Sequence, residues 1–214
     1  EAGVQSFYQP SLKAVSRRQD EQKTLDNLRF IREQTGAEIH ADLVAGLPYS
    51  TYDTFSRDFD KLMAVRPQEL QLGILKRLRG APIDRHSQVC AMVYSKYPPY
   101  EIMQNKDMSY AELQRIKRIA RYLDIFYNSG NFPHTVELLL GAQASCFAAM
   151  DDFSRFIWEN YQQTHKISIG RQTRILFEYL QKYYPLQEIA TALLADYDGK
   201  GRKDNVCYLR EILK

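Results

Sequence analysis

Cysteine is scarce in this sequence: Cys90, Cys146 and Cys207 are the only three in 214 residues. They lie far outside any CxxC-type spacing, which excludes a metal knuckle or dithiol motif built from them. The odd count, with no leader-like start, gives the expectation of a reducing, cytoplasmic setting. Long apolar runs are also lacking. Stretches such as Leu138–Leu140 and Cys146–Met150 fall far short of the ~20 residues that cross a bilayer, so no membrane partner is expected. An excess of one charge is missing as well: 29 Lys and Arg stand against 26 Asp and Glu, a formal net charge of +3. That balance excludes a polyanion-coated or disordered class and by itself neither demands nor forbids nucleic acid. No internal repeat or low-complexity segment is visible. The chain opens Glu1-Ala2-Gly3-Val4-Gln5-Ser6-Phe7, with no Met, and the expectation is that it is one part of a longer protein. What is present, 44% apolar, 12% aromatic and 26% charged residues, suits one large globular domain or two small ones.

Two rhythms divide the chain. In the first half, β-like runs near 2–7, 37–45 and 69–75 alternate with helical patterns. Leu25, Leu28 and Ile31 recur at helical spacing over 24–34, and Gly36 stands where a C-cap belongs. Ser50 with Asp53 reads as a capping box, followed by Phe55, Phe59 and Leu62 on one face until Pro67. Strand, helix, strand, helix, strand with short connections predicts parallel βαβ units, whose crossovers need helices. After Arg79-Gly80-Ala81-Pro82 the sequence predicts no further strand. A Pro- and Tyr-rich connection over 83–107 leads into helices only. Ser109 and Glu112 form a second capping box ahead of Leu113, Ile116, Ala120, Leu123 and Phe126. Further helices are expected near 133–140, 143–163, 170–183, 185–195 and 204–213. The expected division is therefore 1–108, α/β with a connector, and 109–214, a helical module. The apolar stripes of that module call for mutual burial, with Leu180 in the core and Trp158 largely buried. The outer edge of the Gly3–Phe7 strand would be unpaired, so self-association is expected unless the chain's own helices cover it.

In parallel α/β folds, ligands meet the carboxyl ends of the strands and the loops beyond them. Gly3, Gly46 and Gly73 leave the backbone open at three such ends. Asp42 interrupts an otherwise apolar strand and must find a partner: a ligand hydroxyl, a water or a cation, or else a backbone amide or Arg17. His40 shares its strand face.

The combination GVQSF (3–7), Arg17, HADLVAGLPYSTYDTF (40–55) and LQLGILKRLRGAPI (70–83) resembles the latter half of a radical S-adenosylmethionine (SAM) enzyme. The similarity is to the branch containing anaerobic coproporphyrinogen oxidases and cobalamin-binding cyclases and methyltransferases. The segments YPPYEI (97–102), YLDIFYNSG (122–130) and FPHTVELLLG (132–141) resemble an uncharacterised helical domain appended to cobalamin-binding members. The resemblance implies about three strands of a partial (β/α)6 barrel followed by a helical domain. It implies a parent enzyme that reductively cleaves SAM at a [4Fe–4S] cluster to begin radical chemistry on a small-molecule substrate. Cobalamin is a further implied cofactor, a flavodoxin or ferredoxin the implied electron donor, and a Mg-protoporphyrin monomethyl ester cyclase one implied activity. Carried over by position, Gln5 and Asp42 would meet the ribose and Arg17 the methionyl carboxylate, with Arg18 as the alternative to Arg17. Gly46, Leu47 and Leu75 would cradle the adenine. The family's CxxxCxxC motif has no counterpart here, so no metal ligand or catalytic residue is assigned, and this chain alone is expected to be inactive.

The rival from another class is a helical interaction or nucleic-acid-binding module on an α/β stub, built on Arg115, Lys117, Arg118 and Arg121. The apolar stripe of that helix already turns these residues outward, where a solvated face is their ordinary role, and no nucleic acid is expected. The tyrosines around Pro98-Pro99 read as a stiff connector or a pocket lid. Tyr183-Tyr184-Pro185 reads as a helix end and Asp196–Lys200 as a turn, because the latter lacks the later Glu of a calcium loop.

Overall fold

The structure is a computed structural model and describes residues 1–78, 80–200 and 206–214. Arg79 and the expected helix start at 204–205 lie outside the described residues. Two compact units, Glu1–Ala120 and Arg121–Lys214, divide the chain.

In the first unit, β1 (Ala2–Gln5), β2 (His40–Ala45) and β3 (Glu69–Ile74) form a parallel sheet in the order β1-β2-β3. Helix α1 (Gln9–Ala14) and α2 (Glu21–Gln34) connect the first pair, and α3 (Tyr52–Met63) connects the second. Burial alternates along β2: Ala41, Leu43 and Ala45 are fully buried, whereas His40, Asp42 and Val44 occupy the other face and are only partly covered. Register pairs Gly3 with Asp42 and Val44 with Gly73, so both glycines share that less-covered face. Parallel sheets are ordinarily buried on both sides, and this face carries charge instead.

The helices form where apolar spacing and caps coincide. In α2, the Asp20 carboxylate accepts from the Lys23 N–H and Leu25 and Leu28 are buried. In α3, Phe55, Phe59, Leu62 and Met63 face inward. Its N-cap is Thr51 rather than Ser50, in a reciprocal capping box with Thr54 rather than Asp53. The C-cap of α2 is Thr35, whose hydroxyl also bonds the Ile31 carbonyl, and Gly36 lies beyond it. The first strand stops at Gln5, where φ turns to +69, and the second begins only at His40. Ser6 and the Phe7 N–H both donate to Asp58 of α3, at 2.5 and 3.0 Å. This carboxylate ties the exit of β1 to a helix about fifty residues later, and burial pushes it above the usual carboxylate range.

Strands do not stop after Gly80. Following a 3-10 turn at Pro82–His86, β4 (Val93–Tyr94) and β5 (Ile102–Gln104) pair antiparallel, and Lys76 bridges to Glu101. The expectation of helices only fails here because strands of two and three residues carry no readable alternation. Helix α4 (Tyr110–Leu123) follows, its Ser109–Glu112 box intact, and ends in a π-helical turn at Asp124–Asn128.

The second unit comprises α5 (Thr135–Gly141), α6 (Cys146–Tyr161), α7 (Ile169–Leu180), α8 (Leu186–Asp198) and α9 (Cys207–Ile212). Phe126, Phe153 and Tyr179 stack in sequence at 4.9 Å between ring centroids, and Ile157, Leu180 and Leu193 are fully buried with them. Trp158 is 43% exposed, contrary to expectation: the stripe through Met150, Phe153 and Ile157 sets the inward direction, and residue 158 is turned about 100° from it. Asp196 is not in a turn. It lies buried in α8 and accepts from the His134 and Thr135 N–H groups at 2.8 Å and from the Thr135 hydroxyl at 2.7 Å, closing the start of α5.

Candidate functional site

The less-covered sheet face leads into a cavity of about 760 Å³ at the carboxyl ends of β2 and β3. Gln5, Arg17, Val44, Leu47, Gly73 and Leu75 are among its walls. Such a volume suits a small organic ligand.

Gln5, Arg17 and Asp42 come together around Gly3. A side-chain carbon placed on Gly3 would stand 3.0 Å from Gln5 Nε2, 3.7 Å from Asp42 Oδ2 and 3.9 Å from Arg17 Nη2. Each arrives by a different route. Gln5 is turned by its left-handed backbone at a register shift in β1. Arg17 follows the end of α1, where its N–H bonds the Leu12 carbonyl, and its Nη2 donates to the Gly3 carbonyl. Arg17, not Arg18, lines the cavity. Asp42 projects from the central strand opposite Gly3.

Asp42 is the unusual member. Its Oδ1 is shielded from solvent and has no hydrogen-bond partner among the described residues. Neither a backbone amide nor Arg17 hydrogen-bonds to it. Burial, followed by the nearby Glu1 charge, pushes its carboxyl above the usual range. An acceptor left unmade in this way is costly. The protein itself covers Oδ1, and Asp42 is not among the cavity walls; its Oδ2 is the oxygen nearest Gly3. His40 of the same face pairs instead with Glu69, 3.6 Å away.

The three adenine-cradle residues separate. Leu47 and Leu75 line the cavity, but Gly46 does not. Gly46 is held at φ +86 with its α-carbon against Ile102, and its carbonyl accepts from Asn105 Nδ2 at 3.0 Å. Gly46 therefore shapes the loop behind Leu47. Sequence reasoning missed Asn105 and the Glu101–Lys117 ion pair at the cavity wall, because nothing in β2 or β3 signals partners 50 residues downstream.

The basic residues of α4 are individually engaged. The Arg115 guanidinium lies 5.0 Å from the Tyr52 ring, Lys117 pairs with Glu101, and Arg121 donates to the Thr164 carbonyl at 2.6 Å. Among the described residues no group of three His, Cys, Asp or Glu side chains is arranged to hold a metal. Cys90 is buried, Cys146 half-buried and Cys207 exposed. Among the described residues a [4Fe–4S] cluster therefore has no ligand set. A carboxamide, a guanidinium and a carboxylate, by contrast, do converge around Gly3. Among the described residues no helix is long and apolar enough to cross a membrane.

A mixed α/β unit with a ligand-sized cavity at its strand ends, followed by a helical unit, defines the class of protein. Residues 90–214, more than half of the chain, match the family described as "Protein of unknown function (DUF4080)", and the chain belongs to that family. It is also 36% identical over 70 residues to the oxygen-independent coproporphyrinogen III oxidase of Pseudomonas aeruginosa. That stretch is 33% of this chain and 15% of the oxidase, so the chain spans only a small part of this relative. The match supports a relationship to the radical SAM family at the level of the family.

Proposed function

We propose that this chain forms part of a cytoplasmic radical SAM enzyme and contributes one wall of its SAM site, with the β1-β2-β3 sheet as a segment of a partial barrel. The observation that carries this reading is the convergence of Gln5 Nε2, Arg17 Nη2 and Asp42 Oδ2 around Gly3, with Gln5 and Arg17 lining the cavity at the strand ends. In this reading Gln5 and Asp42 hydrogen-bond the ribose hydroxyls, Arg17 clamps the methionyl carboxylate, and Leu47 and Leu75 meet the adenine. Charge-assisted bonds from a guanidinium to a carboxylate are among the stronger polar contacts. SAM with a [4Fe–4S] cluster would supply one-electron cleavage chemistry, with a flavodoxin or ferredoxin as the electron donor, and no described residue of this chain is assigned to the cluster or to cobalamin. This chain's own task is to orient SAM and to keep water from the cavity through Val44, Leu47 and Leu75. The small-molecule substrate of the parent, a porphyrin ester being one candidate, would occupy the remaining cavity.

Without the cluster chelate, the chain alone should hold SAM only weakly, with Kd ~1 mM, about 4 kcal/mol. Titration with SAM followed by amide chemical shifts tests it. Saturable shifts are expected at Gly3, Leu47 and Gly73, and they should be lost in Asp42→Ala and Gln5→Ala, each of which removes ~1–3 kcal/mol. Parental affinity in both variants would show that Asp42 is a structural carboxylate only.

A further inference from the structure

The loop after β2 holds two residues in left-handed backbone, Gly46 at φ +86 and Tyr49 at φ +66, with the cavity residue Leu47 between them. For tyrosine this conformation is unfavourable, and it persists only where the surroundings over-determine it. They do so here from one short segment. Asn105, 8% exposed, donates from Nδ2 to the Gly46 carbonyl at 3.0 Å. Its Oδ1 accepts from the Asp107 and Met108 N–H groups at 2.9 and 2.8 Å, which presents the Asp107 carboxylate to the Tyr49 N–H at 3.0 Å. Lys106 lies 5.0 Å above the Tyr49 ring, and the His86 ring meets its edge at 6.0 Å. From the same segment, the Ile102 N–H donates to the Leu75 carbonyl at 2.8 Å, and the Ile102 side chain fills the space in front of Gly46. Residues 102–107 thus grip both loops whose leucines line the cavity.

We infer that Asn105 and Asp107 are positioning residues. Through their bonds to Gly46 and Tyr49 they set the loop that offers Leu47 to a flat heteroaromatic ring, and so govern affinity for the adenosyl half of a ligand. This rests on the cavity being the SAM site. The buried Asn105 amide spends its side-chain bonds on loop geometry, and a strained loop fixed in this way is a recurrent feature of ligand sites. Both residues lie in the segment shared with the family that the chain belongs to, which gives the start of that segment a role at the α/β sheet.

The test uses the 214-residue chain with adenosine as the probe, followed by amide chemical shifts. Asp107→Ala removes the acceptor for Tyr49, and Asp107→Asn retains one. Asn105→Asp sets an acceptor against the Gly46 carbonyl while keeping the bonds to Asp107 and Met108. The expected result is adenosine binding weakened about fivefold in Asp107→Ala and Asn105→Asp and restored in Asp107→Asn. Unfolding midpoints of Asp107→Ala and Asp107→Asn should stay close, which a merely structural role for the carboxylate would not give. Wild-type binding with undiminished affinity in both Asp107→Ala and Asn105→Asp overturns the positioning role alone. Absence of any saturable shift in the wild type with adenosine and with SAM alike overturns the SAM-site reading, and the positioning role with it. Should Asn105→Asp not fold, the Asp107 pair decides the matter, since Asp107 is only half-buried.

Discussion

Replacing Gly46 with alanine probes the loop behind the cavity, and its cost can be worked out in parts. The backbone sits at φ +86, a conformation that costs an L-residue roughly 1–2 kcal/mol. The new methyl would lie 2.6 Å from Ile102 Cγ2, about 1 Å inside ordinary carbon contact. Relieving that overlap in a packed region adds roughly 1–3 kcal/mol, and the smaller entropy of the unfolded alanine chain returns roughly 0.4–1. The expected net loss is about 1–5 kcal/mol. Ile102→Ala alone should cost ~2–5 kcal/mol as a cavity, since Ile102 is 2% exposed. In the Ile102→Ala background the clash disappears, and Gly46→Ala should then cost only about 1 kcal/mol, giving a favourable coupling of about 1–3 kcal/mol. Because the chain has two units, stability is best read from hydrogen exchange at the fully buried Leu43 rather than from one global signal. Gly36→Ala is the control: nothing stands within 4 Å of its added carbon, and a change within ~0.5 kcal/mol is expected. A cost below ~1 kcal/mol for Gly46→Ala, or strict additivity in the cycle, would refute the reasoning.

Other outcomes follow from buried groups. The folded-state pKa of Asp42 is raised, so the native state holds more protons than the unfolded chain, and stability should fall as pH rises from the ordinary carboxylate value through the raised one. Asp42→Asn should remove that slope in urea melts at several pH values while weakening ligand contact, and an unchanged slope would contradict the assignment. Asp196→Ala leaves three donors at the start of α5 without their acceptor and should cost ~2–4 kcal/mol in denaturant unfolding. Leu180→Ala should cost ~2–5 kcal/mol, and a loss below ~0.5 would mean that α7 faces solvent there. Trp158, 43% exposed, should be readily quenched by iodide. Finally, β1 is an outer strand, and sedimentation should show concentration-dependent association through its edge, weakened by a charged residue at Ala2.

Elements with strong local rules were readable. The β-like run at 37–45 and the Ser109–Glu112 box are written in contiguous residues, and the parallel order follows from helices lying between strands. Choices between neighbours were not. Ser50 and Thr51 each stand three residues before a plausible capping-box partner, and only the path of the loop selects Thr51 with Thr54. β4 and β5 are too short for a period to show. In the site, Gln5, Arg17 and Asp42 were nameable from the motif resemblance, and the structure brings them around Gly3. Gly46, expected beside the adenine, is not among the cavity walls: a glycine in sequence shows that a side chain is absent without showing what fills the space. Here that is Ile102, brought in from β5.

The tether from Ser6 and Phe7 to Asp58 has a consequence for the order in which the molecule acquires its shape. The tether sets the direction of the chain just after Gln5, yet its acceptor is supplied by α3, after β2 has been made. Such distant closures are entropically expensive and come after local helices in time. The α2 and α3 turns, capped within themselves, can nucleate early. The bend at Gln5 is therefore expected to form after the β2-β3 pairing, and pulse-labelled hydrogen exchange during refolding should protect Leu43 before Phe7.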